Sequence, residues 1–315
     1  MPAAGGGRRA ASGGPTSRRG RGTVADREKR PAPGTIRRMP APLISLLTDF
    51  GARDPSAAIL HGVILTIAPE ATVLDISHEV RKFAIRDGAI LLWCALPYLP
   101  VGAHVAVVDP GVGTERRPVA LRTKRGDVLI GPDNGLLIAG AERLGGVTEA
   151  RLLEAEAYRL PVVSSSFHGR DIFAPAAAHL AAGVAFEALG PAVDPASLVP
   201  SPIADAVVEP GVLRSSIVYV DTFGNVKLAG LRADLEAAIG PLKPGDRLEL
   251  EFGADRDHPK RVDHLLWRTT FGDAAASEIL LYEDSYGRIC LAENQGNAAA
   301  DLGLSDDRQV AIRRA

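Results

Sequence analysis

The sequence predicts an α/β protein with an N-terminal, mostly parallel sheet flanked by helices and a smaller C-terminal antiparallel β-barrel-like domain. From residue 43 onward, apolar runs of strand length alternate with helical patterns, which indicates a parallel sheet covered on both faces. Beyond residue 210, strand-like runs dominate and are separated by turns. The stretch 190–212 contains five prolines and little periodicity. We therefore expect an α/β domain at 42–200 and a barrel-like domain at 210–315.

The individual elements follow from the same runs. In the first domain we expect strands at 43–50, 72–77, 104–111, 118–123 and 127–132, and helices at 56–69, 86–99 and 172–184. A further turn and helix are expected from Asp133 onward. In the second domain we expect strands at 214–221, 247–252, 278–284 and 288–294.

The composition is that of an ordinary soluble globular chain, with 315 residues, of which 46% are hydrophobic and 23% charged. No apolar run approaches the ~20 residues that span a bilayer, and residues 89–99 are better explained as a buried helix. Cys94 and Cys290 stand singly in apolar contexts. We therefore expect buried thiols and a cytoplasmic protein.

Residues 1–41 are predicted to be a disordered basic arm. Within residues 1–38, ten Arg and Lys face two acidic residues, a net charge of +8 that leaves the rest of the chain at −10. The arm lacks the large apolar residues of a core and the apolar segment of a secretory signal. No aromatic residues interleave its arginines, which disfavours nucleic-acid binding. Since Met1 and Met39 are the two methionines, we expect translation to start at Met39.

Two glycine-containing segments carry most of the chemical information, namely VVDPGVGTERR at 107–117 and SSSFHGRDIF at 164–173. They supply a carboxylate in Asp109, a fixed cation in Arg116 and a histidine in His168. Taken alone, Asp109 and Arg116 are better explained as an ion pair that braces a loop, and His168 as a core histidine. Their setting among small and polar turn residues favours a ligand site, because backbone can approach a ligand closely there.

Acidic residues also follow several predicted strands. Asp49, Asp109 and Asp133 each come just after a strand. Ligand sites of parallel sheets lie beyond the carboxyl ends of the strands, so we expect these three residues to share one crevice. A carboxylate such as Asp49 is also the group that accepts hydrogen bonds from a sugar diol in nucleotide-binding α/β folds, although a turn-forming role explains it equally well.

Polar turns of the second domain are weaker signals. VDTFGN at 220–225 places Asp221, Phe223 and Asn225 in one turn, where an aromatic ring can stack on a base while its neighbours bind polar groups. The simpler explanation is a hairpin turn with a core phenylalanine. EDSYGR at 283–288 and LAENQGN at 291–297 are similar turns.

Several site classes are disfavoured by missing motifs. The chain has no GxGxxG, P-loop or GxSxG pattern, which argues against the common dinucleotide, ATP and serine-hydrolase sites. Asp75 and His78 in LDISH suggest a metal ligand pair, but the chain has no HExxH or facial-triad spacing. We therefore expect neither a metal nor a cofactor.

Six motifs, in order, resemble the S-adenosyl-L-methionine (SAM) hydroxide adenosyltransferase family, whose relatives are the SAM-dependent fluorinase and chlorinase. The resemblance covers roughly residues 43–312, and the motifs are LLTDFG, HVAVVDPGVGTERRP, GPDNG, SSSFHGRDIFAPAAAHLA, VDTFGN and SYGRICLAENQGNAA. It implies an α/β domain followed by a barrel-like domain, and a homotrimer whose active sites lie between one subunit's N-terminal domain and a neighbour's C-terminal domain. The implied reaction is attack of water or hydroxide on C5′ of SAM, which releases adenosine and L-methionine.

The resemblance also implies roles for individual residues. The water-activating triad falls on Asp109, Arg116 and His168, and Asp49 would hold the ribose hydroxyls. The remaining contacts would come from the second domain: Asp221 and Ser285 to the methionine amine and carboxylate, Asn225 and the backbone near Glu293 to the adenine, with Phe223 packed on the base.

Two departures from the fluorinase bear on the reaction. The fluorinase has a tyrosine where this chain has Asp109, and a carboxylate in the site would repel a halide by several kcal/mol, roughly, at a low effective dielectric constant. Hydroxide transfer is therefore favoured over halogenation. Next to Ser285, the fluorinase's carboxylate-binding arginine is replaced by Tyr286, so Ser285 would take a larger share of that contact. A non-catalytic SAM- or adenosine-binding module is the remaining alternative.

Overall fold

The computed structural model describes residues 42–253 and 260–315. The expectations for residues 1–41, a disordered basic arm and a start at Met39, lie outside the described residues. In the described part of the chain, no helix is long and apolar enough to cross a membrane. Cys94 and Cys290 are free and buried, as expected.

The first sheet confirms the predicted α/β class. Its seven strands are β1 (Leu43–Thr48), β2 (Thr72–Ser77), β3 (Ala103–Val107), β4 (Pro118–Thr123), β5 (Val128–Pro132), β6 (Val147–Leu152) and β7 (Ala192–Val193). They lie in the order β2-β1-β3-β5-β4-β6-β7. The four strands β2, β1, β3 and β5 are mutually parallel, and the other three add antiparallel pairings at one side.

Helices cover the parallel part of this sheet on both faces. Within the described residues the α-helices are α1 (Ser56–Ile67), α2 (Ile85–Ala95), α3 (Ile138–Arg143), α4 (Ala174–Ala181), α5 (Arg232–Ile239) and α6 (Ala298–Leu302). The predicted helix at 86–99 ends as α-helix at Ala95 and continues as one 3-10 turn, because Pro97 has no amide hydrogen for the helical ladder.

Alternation along the central strands explains why both faces are covered. On β1, Leu46 packs into a core shared with α1 and α4, while the next residue, Leu47, packs into a second core shared with α2 and α3. Successive side chains of a strand point to opposite faces, so a strand with large apolar residues on both faces must be buried on both sides. The carboxyl ends of β1 and β3 are left as the edge at which polar residues can gather.

The second sheet is a closed barrel. Its strands are β8 (Val207–Glu209), β9 (Val212–Val220), β10 (Val226–Leu231), β11 (Arg247–Phe252), β12 (Lys260–Trp267), β13 (Ile279–Glu283), β14 (Arg288–Glu293) and β15 (Gln309–Arg314). The order β10-β14-β13-β12-β11-β15-β9 closes through a β9–β10 pairing, and β8 extends it beside β9. All of these pairings are antiparallel except β12 with β13. The predicted barrel-like architecture is therefore confirmed.

An apolar junction joins the two sheets within one compact unit. Ile90 and Trp93 of α2 pack against Val218 of β9. Two guanidinium groups contact the Trp93 ring, that of Arg143 at 4.2 Å and that of Arg288 at 4.1 Å from the ring centroid. Two cation–π contacts with one ring favour a fixed position for the indole at this junction.

Candidate active site

A cavity of about 400 Å³ lies at the carboxyl ends of β1 and β3. Asp49 follows β1 and Asp109 follows β3, and these two strands are parallel neighbours. His168 reaches the same cavity from the loop that precedes α4. The structure therefore brings together predicted residues that lie more than 100 positions apart in the sequence.

Arg116 connects the other two members of the predicted triad. Its Nε donates to Asp109 Oδ1 at 3.1 Å, and its Nη2 donates to Asp109 Oδ2. The same Nη2 lies 3.0 Å from His168 Nδ1. The side chains of Arg116 and Asp109 are only 7% and 5% exposed, so this is a buried, forked ion pair with an imidazole attached.

The protonation state of His168 follows from this geometry. A guanidinium has no lone pair and can only donate, so His168 Nδ1 must accept and the proton of the neutral ring sits on Nε2. Burial and the positive charge of Arg116 lower the pKa of His168, although Asp109 and Asp171 oppose the shift. His168 is therefore a neutral imidazole near pH 7, with an N–H available on the side away from Arg116.

Close backbone contact holds together the two loops that carry Arg116 and His168. Gly113, at a φ of 76°, lies so near the other loop that a Cβ there would be 2.4 Å from the carbonyl oxygen of Ser165. The Ser165 loop is fixed in turn by the buried Asp171, whose carboxylate accepts from the amide of Ser164 at 2.8 Å. His168 then leads into one turn of π-helix, Gly169–Phe173, before α4 begins. Such turns are frequent at functional sites because they redirect side chains.

Asp49 is held on the opposite wall of the cavity. Its Oδ2 accepts from the amide of Phe83 at 2.9 Å, and its backbone oxygen accepts from Lys82 Nζ. Phe83 has a φ of 64°, and its side chain is 69% exposed at the rim. An aromatic residue in the left-handed region is strained, and such strain is concentrated at functional sites.

The expectation that Asp133 shares this crevice is wrong. Arg117 donates to its Oδ2, through Nε at 2.8 Å and Nη2 at 2.5 Å, and the amide of Val199 donates to its Oδ1 at 2.9 Å. Asp133 does not line the cavity, because these contacts turn its carboxylate toward the 197–199 segment instead. It fastens that segment to the sheet.

A second cavity, of about 490 Å³, lies on the barrel and collects the predicted residues of the second domain. It shares no lining residue with the first cavity. Asp221, Phe223, Asn225, Ser285, Tyr286 and Glu293 all line it. The structure therefore divides the predicted site residues into two groups, one on each sheet.

The VDTFGN turn presents an aromatic ring to this second cavity. Asp221 Oδ1 accepts from the amides of Phe223 and Asn225, and Asp221 Oδ2 accepts from Asn225 Nδ2 at 3.0 Å. These bonds leave the side-chain oxygen of Asn225 as its outward acceptor. Phe223 is 76% exposed, so it is not the core phenylalanine of an ordinary hairpin turn.

Lys227 is a functional candidate that the sequence analysis missed. It lines the second cavity, is 8% exposed, and its Nζ lies 2.5 Å from Asp284 Oδ2 and 5.2 Å from the Tyr286 ring centroid. Burial alone would lower the pKa of Lys227, but its charged surroundings, with Asp284 among them, raise it, so the ammonium group stays protonated. The sequence does contain a signal that could have revealed Lys227, because it is a lysine within an otherwise apolar strand that follows the VDTFGN turn.

Glu293 and Ser285 complete this cavity. Glu293 Oε2 accepts from the amide of Asn297 at 3.2 Å, which closes the LAENQGN turn. The backbone oxygen of Ser285 accepts from the Tyr98 hydroxyl at 3.4 Å, and Tyr98 also packs edge-on against Tyr286.

A cavity at the carboxyl ends of parallel strands, lined by a carboxylate and an imidazole that a buried guanidinium holds together, is typical of the small-molecule sites of α/β proteins. The chain belongs to the SAM hydroxide adenosyltransferase family. The family's N-terminal domain matches residues 44–190 and its C-terminal domain matches residues 215–311.

Individual relatives agree with this membership. A protein named (R)-S-adenosyl-L-methionine hydrolase from Salinispora tropica is 43% identical over 87% of this chain and 98% of its own length. The protein of the same name from Thermus thermophilus is 36% identical over 85% and 98%. A fluorinase from Actinoplanes is more distant, at 29% identity over 88% and 100%. A crystal structure of an uncharacterized conserved protein from Thermotoga maritima superimposes with a TM-score of 0.78 at 32% identity, covering 86% of this chain and all of that one.

The contact between Arg116 and His168 predicts a measurable pKa. By NMR titration, we expect the pKa of His168 to lie below the ordinary value of about 6.5, and Arg116→Gln to raise it because a neighbouring positive charge is removed. His179 is the internal control, since burial alone lowers its pKa and Arg116 is not among the causes. An unchanged pKa of His168 in the variant would show that the two side chains do not interact.

Proposed function

We propose that this chain hydrolyses S-adenosyl-L-methionine to adenosine and L-methionine, with the attacking water positioned by Asp109, Arg116 and His168. The observation that supports it most strongly is the hydrogen-bonded arrangement of these three side chains, in which Asp109 and His168 line the first cavity and Arg116 joins them from behind its lining. The relatives named SAM hydrolases support the same reaction class.

The reaction requires mainly that the site position the attacking water. The oxygen of water forms a bond to C5′ while the bond between C5′ and the sulfonium sulfur breaks. The electron pair of the broken bond returns to sulfur, which gives methionine with a neutral thioether. No general acid is needed for this leaving group. The site must hold one water in line with the breaking bond, and such positioning is worth several kcal/mol, roughly, of the barrier.

The three side chains divide the work as follows. His168 Nε2–H donates to the water oxygen and fixes it, while Asp109 accepts a water proton on a lone pair that Arg116 leaves free. The proton then leaves to solvent with the product. Arg116 orients the Asp109 carboxylate and holds His168 in the required tautomer. Its Nη1 is buried without a partner among the described residues, which supports a further polar ligand or water at this point.

The substrate contacts extend to the second cavity. Asp49 would hold the ribose hydroxyls, Asn225 and the 293–297 turn the adenine edge, and Phe223 the base face. Asp221 and Ser285 would bind the amino-acid end. Since the two cavities share no lining residue, we propose a homotrimer in which the first cavity of one copy faces the second cavity of the next. The aromatic rings of Phe83, at the first cavity, and Phe223, at the second, are exposed in the single chain. This supports the proposed homotrimer, because contact between neighbouring copies would cover them.

The reaction is tested by incubating purified protein with SAM in halide-free buffer and then with added chloride or fluoride. We expect adenosine and methionine in equal amounts, independent of halide. Asp109→Asn and His168→Ala should each lower kcat by about 10²- to 10⁴-fold while calorimetric SAM binding persists.

Two other outcomes would contradict this proposal. A 5′-halo product would mean that the Asp109 carboxylate does not exclude halide and that the protein is a SAM-dependent halogenase. Binding of SAM with no product in the wild-type protein would mean a binding module.

The shared site is tested by complementation. Asp109→Asn damages the first cavity and Asp221→Asn the second, so homotrimers of either variant should be nearly inactive. When the two are co-expressed, mixed trimers rebuild some intact sites, about a quarter of them for random association. Activity that stays at the sum of the separate variants would place the whole site within one subunit.

We propose that Lys227 binds the methionine carboxylate, because Tyr286 stands where the fluorinase has its carboxylate-binding arginine. Its ammonium group lies under the Tyr286 ring and beside Ser285 in the cavity lining. We expect the wild-type protein to prefer SAM over decarboxylated SAM. The double variant Lys227→Met, Asp284→Asn avoids a buried unpaired charge and should reduce that kcat/KM ratio about 10- to 100-fold.

The matched control for this experiment is Lys82→Met, which removes the lysine of the first cavity. It should retain the preference for the carboxylated substrate whatever happens to its overall rate. A double variant that still discriminates as well as the wild type would exclude Lys227 from carboxylate binding.

A further inference from the structure

Three potential metal ligands converge on the outer side of the first sheet, at its edge strand. His61 lies on α1, Asp75 on β2 and His78 just after β2. Asp75 Oδ1 is 2.7 Å from His61 Nε2 and 3.1 Å from His78 Nε2. One ligand atom from each of the three residues lies within 4.8 Å of the others.

The His78 ring is oriented as a ligand would be. Its Nδ1 is paired with Thr48 Oγ1 at 2.8 Å, which directs Nε2 toward Asp75. The side chain is 9% exposed, and Nε2 lies 3.1 Å from Asp75 Oδ1 in an orientation that does not make a well-formed hydrogen bond. Metal-binding histidines are held in this way, with the second ring nitrogen bonded to a neighbouring polar group.

A histidine elsewhere in the sheet shows what a purely structural role looks like. His104 is buried as well, but both of its ring nitrogens are paired, with Ser45 Oγ at 2.7 Å and Asp127 Oδ1 at 3.0 Å. A buried polar atom without a well-formed hydrogen bond calls for an explanation, and a bound ion is one of them. His78 Nε2 meets that condition and His104 does not.

We infer that His61, Asp75 and His78 bind one divalent transition-metal ion. Zinc bonds to imidazole nitrogen and carboxylate oxygen measure about 2.0–2.2 Å, so tetrahedral ligand atoms lie about 3.3–3.6 Å apart. The separations of 2.7 and 3.1 Å from Asp75 Oδ1 are shorter, so the ligand atoms would move apart by a few tenths of an ångström, roughly, to admit the ion. Two imidazoles with one carboxylate suit zinc and its first-row neighbours better than magnesium or calcium, which prefer oxygen ligands. His61 and Asp75 are partly exposed, so water completes the coordination.

The ion would brace the turn that carries Asp49. The amide of Gly51 donates to the backbone oxygen of His78 at 2.7 Å, and the amide of Val80 donates to that of Thr48 at 3.3 Å. The ligand His78 and the cavity residue Asp49 therefore sit on two turns that are tied together. None of the three ligands lines the first cavity, so the site is structural and independent of the proposed reaction.

The test measures zinc directly on chelator-treated full-length protein. Equilibrium dialysis should give one Zn²⁺ per chain, and Co²⁺ should give the visible absorption bands of a tetrahedral site. His61→Ala and Asp75→Asn should each weaken Zn²⁺ binding by at least about 100-fold, beyond the loss expected for an outer-shell partner. Zn²⁺ should raise the thermal unfolding midpoint of the wild type and leave that of His61→Ala unchanged.

His264→Asn is the matched control, since it removes an exposed histidine of β12 with a residue that tolerates its φ of 64°. It should bind zinc as the wild type does. The inference fails if the wild type binds no zinc, which would mean that His61 and His78 only hydrogen-bond to Asp75. It also fails if His61→Ala and Asp75→Asn bind zinc normally, or if millimolar Mg²⁺ displaces it. Because no step of this test uses SAM, its failure leaves the proposed reaction untouched.

Discussion

The first cavity depends on one buried guanidinium. Arg116 neutralises Asp109, donates to His168 Nδ1 and lies 5.4 Å from the centroid of the Phe173 ring at the end of the π turn. A buried carboxylate without this partner would be costly in free energy, and an imidazole without it could adopt either tautomer. One side chain therefore orients the Asp109 carboxylate and fixes both the orientation and the tautomer of His168. The Gly113–Ser165 backbone contact keeps the loops of Arg116 and His168 close enough for this.

Much of this could be predicted from sequence because the signals were local or followed from topology. The LLTDF and HVAVVD runs fixed which residues follow β1 and β3, and parallel neighbours deliver those residues to one edge. Asp133 obeyed the same rule and still fell outside the cavity, because Arg117 and the amide of Val199 bind its carboxylate. Strand order predicts the backbone position of a residue, but the polar partners nearby decide the direction of its side chain.

The residues that were missed share one property, which is that their partners come from distant segments. Lys227 becomes informative only when the barrel brings Asp284 beside it, 57 positions later in the chain. His61 is 14 residues from Asp75 and lies on a helix, so no local spacing rule connects them. Six strands were also missed, namely β6, β7, β8, β10, β12 and β15. In the case of β12, the run KRVDHLLW carries charge on its outer positions, which obscures the strand pattern.

The second cavity suggests how a binding site can keep its charge while its residues change. The fluorinase resemblance leads one to expect an arginine at position 286, yet a tyrosine stands there and a buried lysine lies beneath its ring. Asp284 holds that lysine and also accepts from the amides of Tyr286 and Arg288, both at 2.9 Å. The SYGR turn is thus built around a carboxylate that stabilises a cation on the neighbouring strand. A substrate carboxylate needs a positive partner in a fixed place, and the barrel can supply it from β10 as well as from the turn.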